Sequence, residues 1–169
     1  FENDHPTLTR LHPRKGDIVS ISLAKLLRPE TTLSKLGASG QRAAIHELVG
    51  LLIKAYPQLD PNELVSSIEQ RERFFSTASS HGLAFPFVES DSVEAPVIAL
   101  ATSPDGVEFG SPRGELTQLF VALVIPASKP KLSVQLLARL TRLFQTYPEL
   151  KERLIKQEDS RQLYDTFVE

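Results

Sequence analysis

The most informative part of the sequence is residues 71–87, which read RERFFSTASSHGLAFPF. The stretch opens with the charged pair Arg71 and Glu72, passes through hydroxyl and small residues, and ends on an apolar Gly-Leu-Ala-Phe-Pro-Phe segment. Upstream, Leu64, Val65 and Ile68 recur at helical spacing, so the charged pair is predicted to close a helix. The apolar segment predicts a short strand at about 83–88, and a turn from 76 to 80 joins the two elements.

This stretch resembles the active-site motif of one family, the fructose- and mannitol-type enzyme IIA domains of the bacterial sugar phosphotransferase system, including the nitrogen-regulatory members. There the pattern runs Arg-Glu, three variable residues, Ser-Thr-Gly, then Gly-Ile-Ala-Ile-Pro-His, and the histidine takes a phosphoryl group from a carrier protein. Arg71-Glu72, Ser76-Thr77 and residues 82–86 match this pattern, and Phe87 stands at the histidine position. A phenyl ring has no lone pair with which to accept a phosphoryl group.

The family also carries a second histidine at the opening of a later helix, in a His-Leu-x-Leu-Leu-x-x-Leu pattern. The corresponding residues 133–140 read SVQLLARL, so Ser133 replaces that histidine. The resemblance covers about residues 18–169 and implies a degenerate domain without either active-site histidine. It also implies that Arg71, Ser76 and Phe87 converge near the start of the helix at Ser133.

The order of elements predicts an α/β fold, a mixed β-sheet of four to five strands covered by helices on both faces, as in the enzyme IIA family. Residues 1–17 are predicted to be a tail or linker and residues 18–169 the domain, with helices from about 39 to 56 and from the N-cap Asp60 onward. Strands are expected at 83–88, at 96–101 with a hairpin return at 107–109, and at 117–125. An acidic loop is expected at 89–94. Three helices follow, the last of them capped by Ser160.

Composition narrows the class of protein. A chain of 169 residues with 41% hydrophobic residues is long enough for one buried core, and a net charge of −2 argues against nucleic acid or anionic membrane as the main partner. There are no cysteines and no apolar run long enough to span a membrane, so we expect a cytoplasmic domain without direct membrane insertion. Because the chain begins at Phe1 and has no methionine, we also expect it to be a processed or excised piece of a longer protein.

Other catalytic classes lack their motifs. The sequence contains no Gly-x-Ser-x-Gly elbow, no phosphate-binding Gly-x-x-x-x-Gly-Lys loop and no His-Glu-x-x-His zinc motif. Of the four histidines, His5 and His12 lie in the predicted tail and His46 lies off the apolar face of its helix. We therefore expect no metal site and no cofactor.

Three functions remain open. The first is a non-phosphorylatable regulatory domain that docks on a protein partner or on the rest of a longer parent chain, such as a membrane transporter. The second is a working phosphocarrier that uses His81 as a displaced acceptor, and the third is a sensor that binds an anion or small molecule through Arg71, Ser76 and Thr77. The residues predicted to form the ligand or partner face are Arg71, Ser76, Thr77, His81, Phe85, Phe87 and Ser133.

Overall fold

The computed structural model describes residues 22–79 and 81–168. The predicted tail, with His5 and His12, lies outside these residues, as does Ser80 in the predicted turn. The helices are α1 (Leu23–Leu26), α2 (Gln41–Ala55), α3 (Pro61–Phe74), α4 (Pro130–Thr146), α5 (Glu149–Ile155) and α6 (Ser160–Val168), with a 3-10 turn at Pro29–Thr31. The strands are β1 (Thr32–Leu33), β2 (Leu83–Ala84), β3 (Phe87–Ser90), β4 (Val97–Val107) and β5 (Thr117–Pro126).

The five strands form one mixed sheet, as predicted. Strand β4 is paired antiparallel with β5 and parallel with β1, while β2 and β3 lie one after the other along the far side of β5, both parallel to it. Phe87 is opposite Leu123 in this register. The end of the 71–87 stretch therefore forms an edge of the sheet.

Side-chain alternation along the buried strands divides the core into two layers. Phe120, Ala122 and Val124 of β5 face the layer built by α2 and α3. Leu119, Val121 and Leu123 face the layer built by α1, α4, α5 and α6. Helices therefore cover both faces of the sheet, which confirms the predicted α/β architecture.

Helix α3 begins where the sequence predicts. The Asp60 carboxylate accepts hydrogen bonds from the backbone N–H groups of Asn62 (3.0 Å) and Glu63 (3.4 Å), and Pro61 occupies the first helical position. These bonds satisfy N–H groups that have no partner within the helix. The helix then runs to Phe74, which places Arg71 and Glu72 in its last turn.

The predicted strand at 83–88 is interrupted. It is split into β2 and β3 at Phe85-Pro86, because proline has no N–H to donate to the ladder; the Pro86 carbonyl still accepts a bond from Leu123 N–H at 2.9 Å. The strand then continues to Ser90, so the predicted acidic loop begins later than Glu89.

The predicted hairpin return at 107–109 is wrong. Strand β4 continues to Val107 through an irregularity in which Thr102 pairs with Leu119 and Val107 with Thr117. The extra residues are absorbed as a bulge, helped by Gly106 at φ +86°, so the turn signal at 104–106 bends one strand instead of joining two.

Two smaller features also differ from prediction. Strand β1 was not predicted, because two residues are too short to carry an alternation signal. Ser160 is the first residue of α6, and the cap is instead Asp159, whose carboxylate accepts from Gln162 N–H at 2.8 Å.

Within residues 22–79 and 81–168, no helix has the length and apolar character needed to cross a membrane.

Candidate functional site

Glu72 organises the loop that follows α3. Its side chain is only 5% exposed, and its carboxylate accepts hydrogen bonds from the Thr77 backbone N–H at 2.7 Å and from the Thr77 hydroxyl. Burial raises the pKa of Glu72 above its usual value, and the bonds from Thr77 partly oppose this shift. The carboxylate therefore connects the loop to the last turn of α3 by two hydrogen bonds.

Ser76 is likewise bonded inside the fold. Its hydroxyl donates to the Phe109 carbonyl at 3.2 Å and accepts from Ala78 N–H at 3.1 Å, while Gln41 donates to the same carbonyl at 3.0 Å. The Ser-Thr part of the motif thus joins the loop to the end of β4 and the start of α2. These hydroxyls hold the loop in position.

Phe87 is half-buried, and one side of its ring packs against the core layer that contains α4. The guanidinium of Arg71 lies over the ring, 4.2 Å from its centroid. Because α3 belongs to the opposite layer and β3 is an edge strand, the Arg71 side chain crosses the edge of the sheet to reach the ring. This distance is typical of a cation–π contact.

Ser133 is the fourth residue of α4 and is 5% exposed. Its hydroxyl donates to the Pro130 carbonyl at 3.2 Å, so its proton is used within its own helix. Helix α4 packs against β3. The predicted close approach of Ser133 to Phe87 stays a prediction.

His81 is exposed and belongs to a different part of the surface. It lies at the rim of a cavity of about 870 Å³ that also contains Thr77, Phe85 and Lys151. Phe85 stacks on Phe144 there, with ring centroids 6.1 Å apart, and the Lys151 ammonium donates to the His81 carbonyl at 2.9 Å.

The sheet register separates His81 from Phe87. Leu83 is opposite Leu119 and Phe87 is opposite Leu123. Leu83 and Phe87 are therefore four positions apart along β5, roughly 13 Å at strand spacing, and His81 precedes Leu83.

Within the described ranges, no group of three or more metal-ligating side chains is suited to a metal ion.

The sequence interpretation missed two exposed phenylalanines next to this site. Phe74 and Phe75 are 84% and 82% exposed. A signal was present, because Leu64, Ile68 and Glu72 are the buried residues of α3 and follow one another at four-residue steps. Phe74 comes two residues after this stripe and so points to the opposite side of the helix.

Two hollows adjoin these rings. One, of about 440 Å³, is lined by Ser67, Gln70, Arg71, Phe74, Phe75, Val88 and Glu89. The other, of about 350 Å³, is lined by Gln70, Arg73 and Phe74. We call the surface formed by Arg71, Arg73, Phe74, Phe75 and Glu89 the Phe74–Phe75 face.

Sequence relatives cover nearly the whole chain. A PTS system fructose-specific EIIA component of Haloferax volcanii is 24% identical over 90% of this chain and 93% of that protein. A nitrogen regulatory protein of Pseudomonas aeruginosa is 20% identical over 88% of this chain and 96% of that protein. A PTS system fructose-specific EIIABC component of Bacillus subtilis is 26% identical over 86% of this chain, but only 23% of that longer protein is matched.

Solved structures show the same fold. The nitrogen regulatory protein IIA-Ntr of Neisseria meningitidis superposes with a TM-score of 0.75 at 17% identity, covering 85% of this chain and 97% of that one. The IIA mannitol domain of Escherichia coli superposes with a TM-score of 0.65 at 21% identity, covering 83% of this chain and 98% of that one.

The family model described as phosphoenolpyruvate-dependent sugar phosphotransferase system, EIIA 2, matches residues 25–169. This range contains both the motif at the end of α3 and the helix at Ser133. The fold, the relatives and the family match agree, and the chain belongs to the EIIA type 2 family of the phosphotransferase system.

Proposed function

We propose that this EIIA-like domain regulates a protein partner by docking and does not accept a phosphoryl group. The observation that carries the proposal is the Arg71 guanidinium 4.2 Å from the centre of the Phe87 ring, at the position where the resemblance expects the phosphorylated histidine. Phe87 offers no nucleophile. The adjacent cation, which would otherwise be available to an incoming phosphoryl group, is placed over an aromatic face.

The surroundings of Phe87 support this proposal. The Ser133 hydroxyl donates to the Pro130 carbonyl and has no cationic form, so it is a poor substitute for an imidazole in steadying a phosphate. By contrast, the bonds of Glu72, Ser76 and Thr77 keep the loop of the motif intact. The domain keeps the loop structure of the family's motif but lacks the phosphate-accepting histidine. This combination supports a role in protein binding over a role in phosphoryl transfer.

The partner is proposed from the relatives. The mannitol IIA domain of E. coli has been solved in complex with phosphorylated enzyme IIB, and the B. subtilis relative joins its EIIA region to further components in one chain. We infer that this domain binds a protein of comparable kind or the rest of a longer parent chain, such as a membrane transporter. The cytoplasm is the proposed location, as the family resemblance implies.

The test is a transfer assay read by intact mass. The domain is incubated with the phosphorylated carrier protein of the system, with an active EIIA domain as positive control. We expect no gain of a phosphoryl group by the wild-type chain. The Phe87→His/Ser133→His double variant is the matched control, because it restores both histidines that the resemblance expects. A gain of a phosphoryl group by this variant alone would show that the rest of the motif is intact.

The second candidate is a phosphocarrier that uses His81. The observation that favours it is the position of His81 at the rim of the 870 Å³ cavity, exposed and beside the Lys151 ammonium. Its predicted signature is distinct: the wild-type chain would gain one phosphoryl group, and His81→Ala would lose it. That result would replace the docking proposal.

The third candidate, an anion sensor built from Arg71, Ser76 and Thr77, has less support. Arg71 lines the 440 Å³ hollow while Thr77 lines the 870 Å³ cavity, and the Ser76 hydroxyl is bonded to the Phe109 carbonyl. A single small anion would have to reach groups that border different hollows.

A further inference from the structure

The 870 Å³ cavity is separate from the site at Phe87, which is not among its lining residues. It is bounded by the turn before β2, by the C-terminal half of α4 and by α5. Its apolar lining includes Leu83, Phe85, Leu116 and Phe144, and polar side chains complete it. Small-molecule sites have volumes of about 300–1,000 Å³ and a similar combination of an apolar lining with a few polar groups. The cavity therefore has the size and the lining of a ligand site.

Opposite charges lie side by side on this lining. Lys151 and Glu152 form an ion pair with 3.6 Å between the ammonium nitrogen and a carboxylate oxygen. Their side chains are 20% and 60% exposed, so both can contact a molecule in the cavity. Glu115 also lines the cavity, and a hydrogen bond from the Ser111 hydroxyl lowers the pKa of its carboxyl below the usual value. The described lining therefore presents one ammonium and two carboxylates.

The loop before β2 holds the Lys151 ammonium in position. The ammonium donates a hydrogen bond to the His81 carbonyl at 2.9 Å, and it lies against Gly82, where a Cβ atom would be only 3.3 Å from the nitrogen. Gly82 has φ +75°, which glycine adopts without strain. Among the described residues, the partners of this ammonium are the His81 carbonyl and Glu152, and an ammonium has three N–H donors. One N–H therefore remains for a ligand.

We propose that this cavity binds a free α-amino acid with an apolar side chain. The ammonium and the carboxylate of such a molecule are attached to one carbon atom, so its opposite charges are about as close together as those of Lys151 and Glu152. The ligand carboxylate lies beside Lys151 and the ligand ammonium beside Glu152, so that each charge has opposite charges as its nearest neighbours. The apolar side chain of the ligand lies against Leu83, Phe85 and Leu116.

Ligands with a single charge fit this lining less well. A simple anion such as inorganic phosphate would be repelled by Glu115 and Glu152, and a simple cation would be repelled by Lys151. A zwitterion avoids both penalties. An aromatic side chain suits the apolar part of the lining, because Phe85 and Phe144 are stacked there with ring centroids 6.1 Å apart. L-Phenylalanine is therefore the probe of choice.

Titration of the purified chain with L-phenylalanine, followed by amide NMR, tests the proposal. We expect saturable shifts at the amides of Gly82, Leu83 and Lys151, with a dissociation constant on the order of 1 mM or below, as is typical for a ligand of about a dozen non-hydrogen atoms. The amides of the Phe74–Phe75 face should not shift. Phenethylamine lacks the carboxylate and hydrocinnamate lacks the ammonium, so each should bind several-fold more weakly.

Two variants with matched controls locate the site. Lys151→Met removes the ammonium and should weaken the binding of L-phenylalanine several-fold; its control is Lys156→Met, since Lys156 is exposed at the end of α5 and is not in the lining. Thr141→Trp fills the cavity and should abolish binding. Its control is Thr166→Trp, because both threonines donate to the carbonyl four residues earlier at 2.8 Å but only Thr141 lines the cavity.

Several results would overturn the proposal. They are no saturation up to roughly 20 mM L-phenylalanine, or binding of phenethylamine or hydrocinnamate as tight as that of L-phenylalanine. Unchanged affinity in either Lys151→Met or Thr141→Trp would overturn it as well, as would shifts confined to the Phe74–Phe75 face. Binding at this cavity involves neither Phe87 nor phosphoryl transfer, so it can be present or absent whatever the transfer assay shows.

Discussion

Glu72 and Phe74 are two residues apart in the chain and have opposite environments. The Glu72 carboxylate is 5% exposed and is bonded to Thr77, whereas the Phe74 ring is 84% exposed. A charged group is buried and an aromatic ring faces solvent, the reverse of the usual preference. The inner side of this motif therefore holds the loop in position, while its outer side exposes apolar groups to solvent.

The largest expected effect is on the inner side, in Glu72→Ala. This change removes the buried carboxylate and leaves the N–H and hydroxyl of the half-buried Thr77 without their acceptor, and we expect the free energy of unfolding to fall by about 2–4 kcal/mol. Urea unfolding measures the change. A loss below about 0.5 kcal/mol, as at an ordinary surface position, would mean that the carboxylate does not hold the loop.

Phe87→Ala is expected to have an intermediate effect on stability, because the ring is half-buried. We expect a loss of about 1–2 kcal/mol in the free energy of unfolding, from part of the hydrophobic burial of a phenylalanine and the contact with Arg71. The matched control is Phe120→Ala, a fully buried ring on which a loss of about 3–5 kcal/mol is expected.

The same variant separates a docking role from a packing role. Pull-down or calorimetry with the parent chain or an enzyme IIB domain should show weaker association for Phe87→Ala if the ring contacts a partner. If neither melting nor any association changes, the site has merely decayed and the docking proposal fails.

A smaller effect is expected in the pH dependence of stability. Since the pKa of Glu72 is higher in the folded state than its ordinary value of 4.5, the folded state binds more protons between these two values. Stability should therefore fall as pH rises from about 4.5 through the folded-state pKa and then level off. Glu72→Gln has no carboxylate to titrate. The difference in the free energy of unfolding between wild type and this variant, measured by chemical unfolding from acid to neutral pH, therefore reports the contribution of Glu72 alone. A difference that grows in favour of the wild type with rising pH would show that the Thr77 bonds outweigh burial.

The smallest effect on stability is expected on the outer side. Phe74→Ala/Phe75→Ala should change the free energy of unfolding by less than about 0.5 kcal/mol per residue, since both rings are largely exposed. Thermal melting of the variant beside the wild type checks this. A loss on the scale of Glu72→Ala would mean that the rings pack within the fold, and the contrast between the two sides would disappear.

Local signals in the sequence identified much of the fold. The Asp60-Pro61 cap, the stripes of α2 and α4 and the apolar run of β5 are short-range patterns, and the elements they predict are present. The errors fall where pairing partners decide the structure. Strand β4 passes through the turn signal at 104–106 because β5 pairs with it on both sides of the irregularity, at Thr102 and at Val107, and the two-residue β1 exists only because β4 is beside it.

The motif spacing, the family resemblance and the phenyl side chain at position 87 can be read from the amino-acid sequence, because they depend on residue identity and spacing alone. Three features became visible only in the folded chain: Arg71 lies over Phe87, the buried Glu72 carboxylate accepts from Thr77, and Phe74 and Phe75 face solvent. Each of these depends on how far α3 runs and where its last turn meets the edge of the sheet. Such contacts join residues on separate elements, and their geometry is set by packing between layers, which no local pattern in the chain encodes.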